Sequence, residues 1–219
     1  LLFAAACGMS VANIYFAQPL LDQLSSEFGI DNSIIGIVIT TTQIFYGLGL
    51  LLLVPLGDLL NQRFLIIGQM LLSIIVLVIV GTASTSTILF AGMALVGLLA
   101  VVTQTLVAFA ASMAAPAERG RVVGIVTSGI VIGILLARSF AGILTDVAGW
   151  RSVYLVSAAL MLFMVCMFFR VLPNVEREVK SLSYPKLLRS VLILFKQERI
   201  LRIRSVLALL IFADFSILW

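Results

Sequence analysis

Few residues in this sequence could do chemistry, and two ionisable ones fall inside long apolar runs. These are Arg138 and Asp214. A charged side chain at the centre of a bilayer costs about 2.5–3.5 kcal/mol on insertion scales, so each is a candidate functional group. For Arg138, snorkelling of the long side chain to the lipid headgroups competes with facing a cavity or an acidic partner. Asp214 would suit proton carriage, and a chance substitution in an inactive chain is the alternative.

Other polar side chains add further candidates for lining a cavity or coupling to an ion. Tyr15, Gln18 and Asp22 have i, i+3, i+7 spacing, which places them on one face of a regular helix. Gln104 lies at the centre of another apolar run. Hydrogen bonds between helices are the competing interpretation for these residues.

Enzymatic and metal chemistry find no support in the residue types. The sequence contains no histidine, and Cys7 and Cys166 stand alone in apolar runs, where they have no metal-ligand spacing. Paired carboxylates and nucleophile–base dyads are also missing from the apolar runs. We therefore expect no enzyme, no catalytic residue, no metal and no cofactor.

The composition identifies the environment in which these residues must be positioned. Of the 219 residues, 62% are hydrophobic and 11% are charged, with a mean hydropathy of +1.23. Soluble domains have about 25% charged residues, so a soluble enzyme and a nucleic-acid-binding module are both excluded as the default. The sequence predicts an all-α polytopic membrane protein whose first partner is the lipid bilayer.

Apolar runs of about 20 residues mark the membrane-spanning helices. Six runs and the beginning of a seventh are present: 2–24, 34–57, 64–82, 88–114, 122–145, 152–172 and the stretch from Ser205 to Trp219. The predicted organisation is a six-helix bundle (1–172), a basic linker with an amphipathic helix (173–204) and an incomplete seventh helix (205–219). Because the chain has no initiating Met and stops within an apolar run, we expect residues to be missing at both ends.

The basic residues indicate the orientation. Twelve of the fourteen Lys and Arg residues lie in alternate connections that include Arg63, Arg119, Arg121 and residues 170–204, whereas the other connections contain only Arg151. Basic residues concentrate on the cytoplasmic side of membrane proteins, so this set and the amino terminus are predicted to be cytoplasmic.

The short connection between the second and third spans resembles the signature loop of the major facilitator superfamily, Gly-x-Leu-Ala-Asp-Arg-x-Gly-Arg-Arg/Lys. The positions that fit are Leu56, Gly57, Asp58 and Arg63, and those that depart are Val54, Leu59, Asn61 and Gln62. In the family this loop is thought to act as a cytoplasmic latch, so the resemblance implies a gating motif of Gly57, Asp58 and Arg63. A solvated turn charge is the competing interpretation of Asp58.

Other segments are similar to further motifs of the same superfamily. Ala117–Arg121 looks like its Glu-Arg-Gly-Arg loop, and Gly149-Trp150-Arg151 resembles a helix entry of its exporter branches. The fifth span is similar to the exporters' antiporter motif, Gly-x-x-x-Gly-Pro-x-x-Gly-Gly. Its matching positions are Gly129, Gly133, Ala137, Arg138 and Gly142, with Ala-Arg in place of Gly-Pro. The Gly129–Gly133 pair is expected to serve close helix packing.

The resemblance implies the amino-terminal half of a bacterial inner-membrane transporter. It implies proton-coupled efflux of small organic molecules by alternating access, with a missing carboxy-terminal half as partner and no activity from this chain alone. An importer or uniporter of a small metabolite is the alternative, and a seven-helix receptor is a third. The fourth span lacks the Arg that proton-driven antiporters of the superfamily usually keep there.

Overall fold

The fold is taken from a computed structural model, which describes residues 1–172, except the side chains of residues 32 and 33, and 13 of the 24 positions from 184 to 207. The chain divides into two compact units, Leu1–Glu178 and Val179–Trp219, and the first of these is described below. The predictions for the linker helix fall mainly outside the described residues. Asp214 and the seventh helix beyond residue 207 lie entirely outside them.

The described part of the chain is all-α, as predicted. Its helices are α1 (Leu2–Tyr15), α2 (Leu21–Phe28), α3 (Asn32–Ile35), α4 (Ile37–Leu52), α5 (Leu56–Leu59), α6 (Gln62–Gly81), α7 (Ser86–Leu99), α8 (Val102–Met113), α9 (Arg119–Ala148) and α10 (Trp150–Val171). Within the described residues, five helical stretches are long and apolar enough to cross a membrane: Ile37–Leu59, Gln62–Gly81, Ser86–Met113, Arg119–Ala148 and Trp150–Val171. They correspond to the predicted second to sixth spans.

The first predicted span is interrupted. After α1 a 3-10 helix covers Gln18–Leu20, and α2 then continues to Phe28. Pro19 lies in this 3-10 helix, and its missing N–H prevents a regular helix from continuing through it. Gly29 ends α2 with a φ of +62°, a left-handed conformation that favours glycine.

The other connections follow from local sequence signals. Pro55 lies in the turn between α4 and α5, where its missing N–H interrupts the regular helix. The side chain of Asn61 accepts a hydrogen bond from the Arg63 amide and caps α6, and Thr85 caps α7 in the same way. Gly149 joins α9 to α10 as a single residue with a φ of +77°.

The helices pack in three pairs that are not neighbours in the sequence. α1 packs on α9, α4 on α7, and α6 on α10. Two core clusters fill the bundle, one around Phe16 and Tyr154 and the other around Phe109 and Phe168. We call the end with Arg63, Arg119, Arg121 and Arg170 the basic end, and the opposite end, with Asp22, Glu27 and Asp31, the acidic end.

Two spans are much less buried than the others. In the most apolar stretch of Ile37–Leu59 only 17% of the residues are buried, and in that of Arg119–Ala148 only 11%. The buried share is 39–61% in the other three spans. The second and fifth spans therefore present long apolar faces that this bundle does not cover.

Candidate functional site

The α1–α9 crossing is made by glycines whose backbones are in direct contact. A Cβ added at Gly8 would lie 2.6 Å from the carbonyl oxygen of Gly129, and one added at Gly133 would lie 2.5 Å from Cα of Gly8. A Cβ at Gly129 would overlap the backbone of Ala4. Any side chain at these positions would separate the helices, so the two glycines of the antiporter-like motif hold the fifth span against the first.

The α4–α7 crossing has the same construction. A Cβ added at Gly49 would lie 2.5 Å from the carbonyl oxygen of Leu98, and one at Gly97 would overlap the backbone of Thr42. These glycines belong to no motif that the sequence analysis identified. In the sequence they are small residues within long apolar helices, and such residues are too common to identify a particular crossing.

One polar pair accompanies each of these two crossings. Nη2 of Arg138 donates a hydrogen bond to Oε1 of Gln18 at 3.0 Å, which joins the fifth span to the first. Nε2 of Gln104 donates to the hydroxyl of Tyr46 at 3.3 Å, which joins the fourth span to the second. Both Arg138 and Gln104 are exposed in this bundle, so these polar groups lie on its surface.

These contacts place the predicted cavity residues. Gln18, Gln104 and Arg138 take part in the two pairs, and half-buried Tyr15 lies within electrostatic range of Tyr46. Asp22 is exposed on α2, beyond the interruption of the first span. The prediction of a regular helix carrying Tyr15, Gln18 and Asp22 on one face was wrong, because the 3-10 helix at Pro19 changes the helical repeat between them.

The remaining motif positions of the fifth span differ in environment. Ala137 is buried, whereas a Cβ added at Gly142 would meet no atom within 4 Å. Gly142 therefore does not take part in a close crossing within the described bundle, unlike Gly129 and Gly133.

The neighbours of Gln104 are buried and point into the bundle. Oγ1 of Thr105 donates a hydrogen bond to Oε1 of Gln69 at 3.5 Å, and Thr103 is fully buried. A second buried pair joins Ser157, whose hydroxyl donates at 2.6 Å, to Oδ1 of Asn13. These are interhelical hydrogen bonds of the packing type, and sequence analysis selected neither Asn13 nor Gln69.

The loop after the second span separates Asp58 from Arg63. Asp58 is exposed and, among the described residues, makes no side-chain hydrogen bond or ion pair. Nη2 of Arg63 donates instead to the carbonyl oxygen of Phe169 at 2.8 Å, at the end of α10. Asp58 and Arg63 therefore do not pair with each other, and Asp58 is available to a group outside the described bundle.

A polar cluster that the sequence did not predict joins the helices at the acidic end. Glu27 accepts hydrogen bonds from the indole nitrogen of Trp150 and from Arg151, with which it also forms an ion pair. Nη2 of Arg151 donates to the carbonyl oxygen of Ala83 at 2.7 Å, and its guanidinium lies 4.6 Å from the centroid of the Trp150 ring. The hydrogen bond from Trp150, followed by the hydrogen bond and charge of Arg151, lowers the pKa of Glu27.

Comparison with known proteins assigns the family. The model of the Major Facilitator Superfamily matches residues 1–219. The chain belongs to the major facilitator superfamily. The loop around Asp58 and the fifth-span motif both lie within this match, which covers the whole chain.

The curated relatives within this superfamily are bacterial proteins named as transporters. The putative uncharacterized transporter YgaY of Escherichia coli K12 is 44% identical over 218 residues, covering 100% of this chain and 55% of YgaY. The probable transporter SCO4007 of Streptomyces coelicolor is 34% identical over 73% of this chain and 37% of its own length. The inner membrane transport protein YnfM of E. coli K12 is 28% identical over 79% of this chain. The chain spans about half the length of YgaY.

Proposed function

We propose that this chain forms one half of a secondary transporter that exports small organic molecules by alternating access, driven by the proton gradient. In alternating access, two related bundles rock against each other around a site near the middle of the membrane. The family match supports the class of protein, and the similarity of the fifth span to the antiporter motif supports export.

The observation that carries this proposal is the pairing of each helix crossing with a polar contact. The Arg138–Gln18 pair joins the fifth span to the first and the Gln104–Tyr46 pair joins the fourth to the second, and Arg138 and Gln104 remain exposed in the bundle. An exposed arginine and amide inside membrane-spanning helices are costly to leave in lipid. A water-filled substrate path beside them removes that cost, and the uncovered faces of the second and fifth spans are available to a second bundle.

Asp58 is the proposed latch that closes against that second bundle. Its carboxylate is exposed at the basic end, and Arg63 is engaged by the backbone of Phe169. With the basic end in the cytoplasm, in agreement with the asymmetry of the basic residues, Asp58 would close the cytoplasmic side of the transporter. The proposed membrane is the bacterial inner membrane, the compartment printed in the name of YnfM.

Proton coupling is proposed to use charged groups at membrane depth. Arg138 is the candidate that the described bundle contains, and Asp214 is the candidate outside the described residues. Protonation of a carboxylate near a site that contains Arg138 would change its net charge and so its affinity for a charged substrate.

The proposal is tested by transport in membrane vesicles. The chain is co-expressed with the part of YgaY that it does not cover, and efflux of ethidium and of fluorescein is followed under an imposed pH gradient. We expect gradient-dependent efflux that a protonophore abolishes, and no efflux from residues 1–219 alone. Arg138→Gln should lower efflux at least tenfold, while Ser139→Ala, at the exposed neighbouring position, should not. Equal efflux by Arg138→Gln and the unmodified chain, at equal expression, would contradict the assigned role of Arg138.

A further inference from the structure

An apolar groove of about 510 Å³ runs along the α1–α9 crossing. Its walls come from both helices, for example from Ala5 and Phe16 of the first span and from Ile125 and Leu136 of α9, and Leu160 of α10 also lines it. The groove lies beside the close crossing, and Gly8, Gly129 and Gly133 are among its lining residues.

The polar atoms of the groove are few and partly engaged. Ser128 and Ser157 are the serines among its lining residues, and the Ser157 hydroxyl already donates to Asn13. The groove therefore offers a guest mainly dispersion contacts and exclusion from water, which suits a hydrocarbon chain better than a polar solute.

The groove is long enough for an extended hydrocarbon chain. From Ile125 to Phe140 it follows fifteen residues of α9, about 22 Å at 1.5 Å per residue. The hydrocarbon layer of one bilayer leaflet is about 15 Å thick, half of the roughly 30 Å core. An acyl chain that enters at the basic end would thus remain inside the groove over its full depth in that leaflet.

A positively charged side chain, that of Arg121, lies toward the basic end of the groove. Arg121 precedes Ile125 by four residues and so continues the same face of α9 toward the membrane surface. It is exposed and makes no side-chain hydrogen bond or ion pair with the residues that the structure describes. The nearby Arg119 differs, since its Nε donates to the carbonyl oxygen of Ala114 at 3.4 Å.

We propose that this groove binds one anionic phospholipid, with an acyl chain between α1 and α9 and the headgroup phosphate at Arg121. The charge of Arg121 selects the headgroup, and the apolar groove beside the crossing of α1 and α9 holds the acyl chain. The site is separate from the polar pairs of the transport proposal and stands without it. An apolar transport substrate in the same groove is the competing occupant.

Native mass spectrometry tests the assignment after extraction of the purified chain from vesicles of equimolar phosphatidylglycerol and phosphatidylcholine. Ser128→Phe and Ala5→Phe fill the groove from its two walls at exposed positions, so at least one should fold. Arg121→Gln removes the charge. Val147→Phe is the matched control, because Val147 is 82% exposed on the same helix and does not line the groove.

We expect the unmodified chain and Val147→Phe to retain one phosphatidylglycerol, preferred over phosphatidylcholine by about fivefold, the effect of one basic residue near an anionic surface. Each groove-filling variant should retain at least threefold less lipid. Arg121→Gln should retain lipid without the preference. Equal retention by the groove-filling variants, an unchanged preference in Arg121→Gln, or no retained lipid on the unmodified chain would each overturn the proposal, the last in favour of an apolar substrate.

Discussion

Nη2 of Arg138 donates a hydrogen bond to Oε1 of Gln18 at 3.0 Å, although 120 residues separate them in the sequence. The contact lies toward the acidic end from the Gly8–Gly133 crossing, on the same two spans. Close backbone packing thus brings the fifth span near enough to the first for this polar pair to form. The arrangement links the antiporter-like motif to the candidate cavity residue Gln18, a connection that neither motif nor spacing indicated.

Gly133→Ala tests the close crossing. Its Cβ would lie 2.5 Å from Cα of Gly8, so the helices must separate, and overpacking of this kind costs about 1–3 kcal/mol. Gly142→Ala is the matched control on the same helix, because its Cβ meets open space. Thermal unfolding in detergent should show Gly133→Ala clearly less stable than Gly142→Ala. Equal stability of the two variants would show that the helices do not approach so closely.

The lowered pKa of Glu27 predicts that the folded protein loses stability in acid. Its pKa is lowered in the folded protein, so the stabilisation by Trp150 and Arg151 is present above the unfolded value of about 4.5 and is lost as the pH falls through the folded pKa. The melting temperature between pH 7 and pH 3 should therefore fall more for the unmodified chain than for Glu27→Gln. Asp22→Asn, an exposed acid on the same helix, should follow the unmodified chain. Parallel curves for the unmodified chain and Glu27→Gln would contradict the cluster at the acidic end.

Asp58→Asn tests the latch in the two-part transporter. The change keeps the size of an exposed side chain and removes its charge, so membrane levels should change little. Transport should fall at least tenfold, since about 1.4 kcal/mol is a factor of ten in a population ratio. Asp146→Asn, an exposed acid at the opposite end, is the control. Full transport by Asp58→Asn at equal expression would reduce Asp58 to a solvated turn charge.

Cysteine labelling in whole cells tests the orientation. Ala115→Cys lies at the basic end and Ser84→Cys at the acidic end, both at exposed positions. Cys7 and Cys166 are replaced by Ala to remove the background. An impermeant thiol reagent should label position 84 and leave position 115 unlabelled until the cells are opened. The reverse pattern would place the basic end outside and would invalidate the proposed cytoplasmic latch.

Local sequence patterns predicted the spans and the connections between them, whereas they could not predict contacts between residues far apart in the sequence. Length and apolarity identified the second to sixth spans, and Gly149 marked the entry to the sixth, because these signals lie within a few residues. Pro19 was the local exception, since its effect on the first span was overlooked. Nothing local indicates that Glu27 meets Trp150 and Arg151 more than 120 residues away.

The glycines illustrate the same limit. Gly129 and Gly133 were selected because their spacing matched a known motif. Gly49 and Gly97 have the same role at the other crossing but lie on different helices, so no spacing within one helix reveals them. Arg63 likewise donates to the carbonyl oxygen of Phe169, 106 residues along the chain, a partner that its own loop does not indicate.

The central claim is that the polar pairs line an aqueous substrate path, and water accessibility at membrane depth measures it most directly. Gln104→Cys and Ile75→Cys are compared in the two-part transporter without Cys7 and Cys166. Both positions are exposed in this bundle, but Gln104 belongs to a polar pair and Ile75 to an apolar face. A small charged methanethiosulfonate reagent should modify Gln104→Cys at least tenfold faster than Ile75→Cys. Equal and slow modification of both would place the polar pairs in lipid or in packed protein and contradict the account.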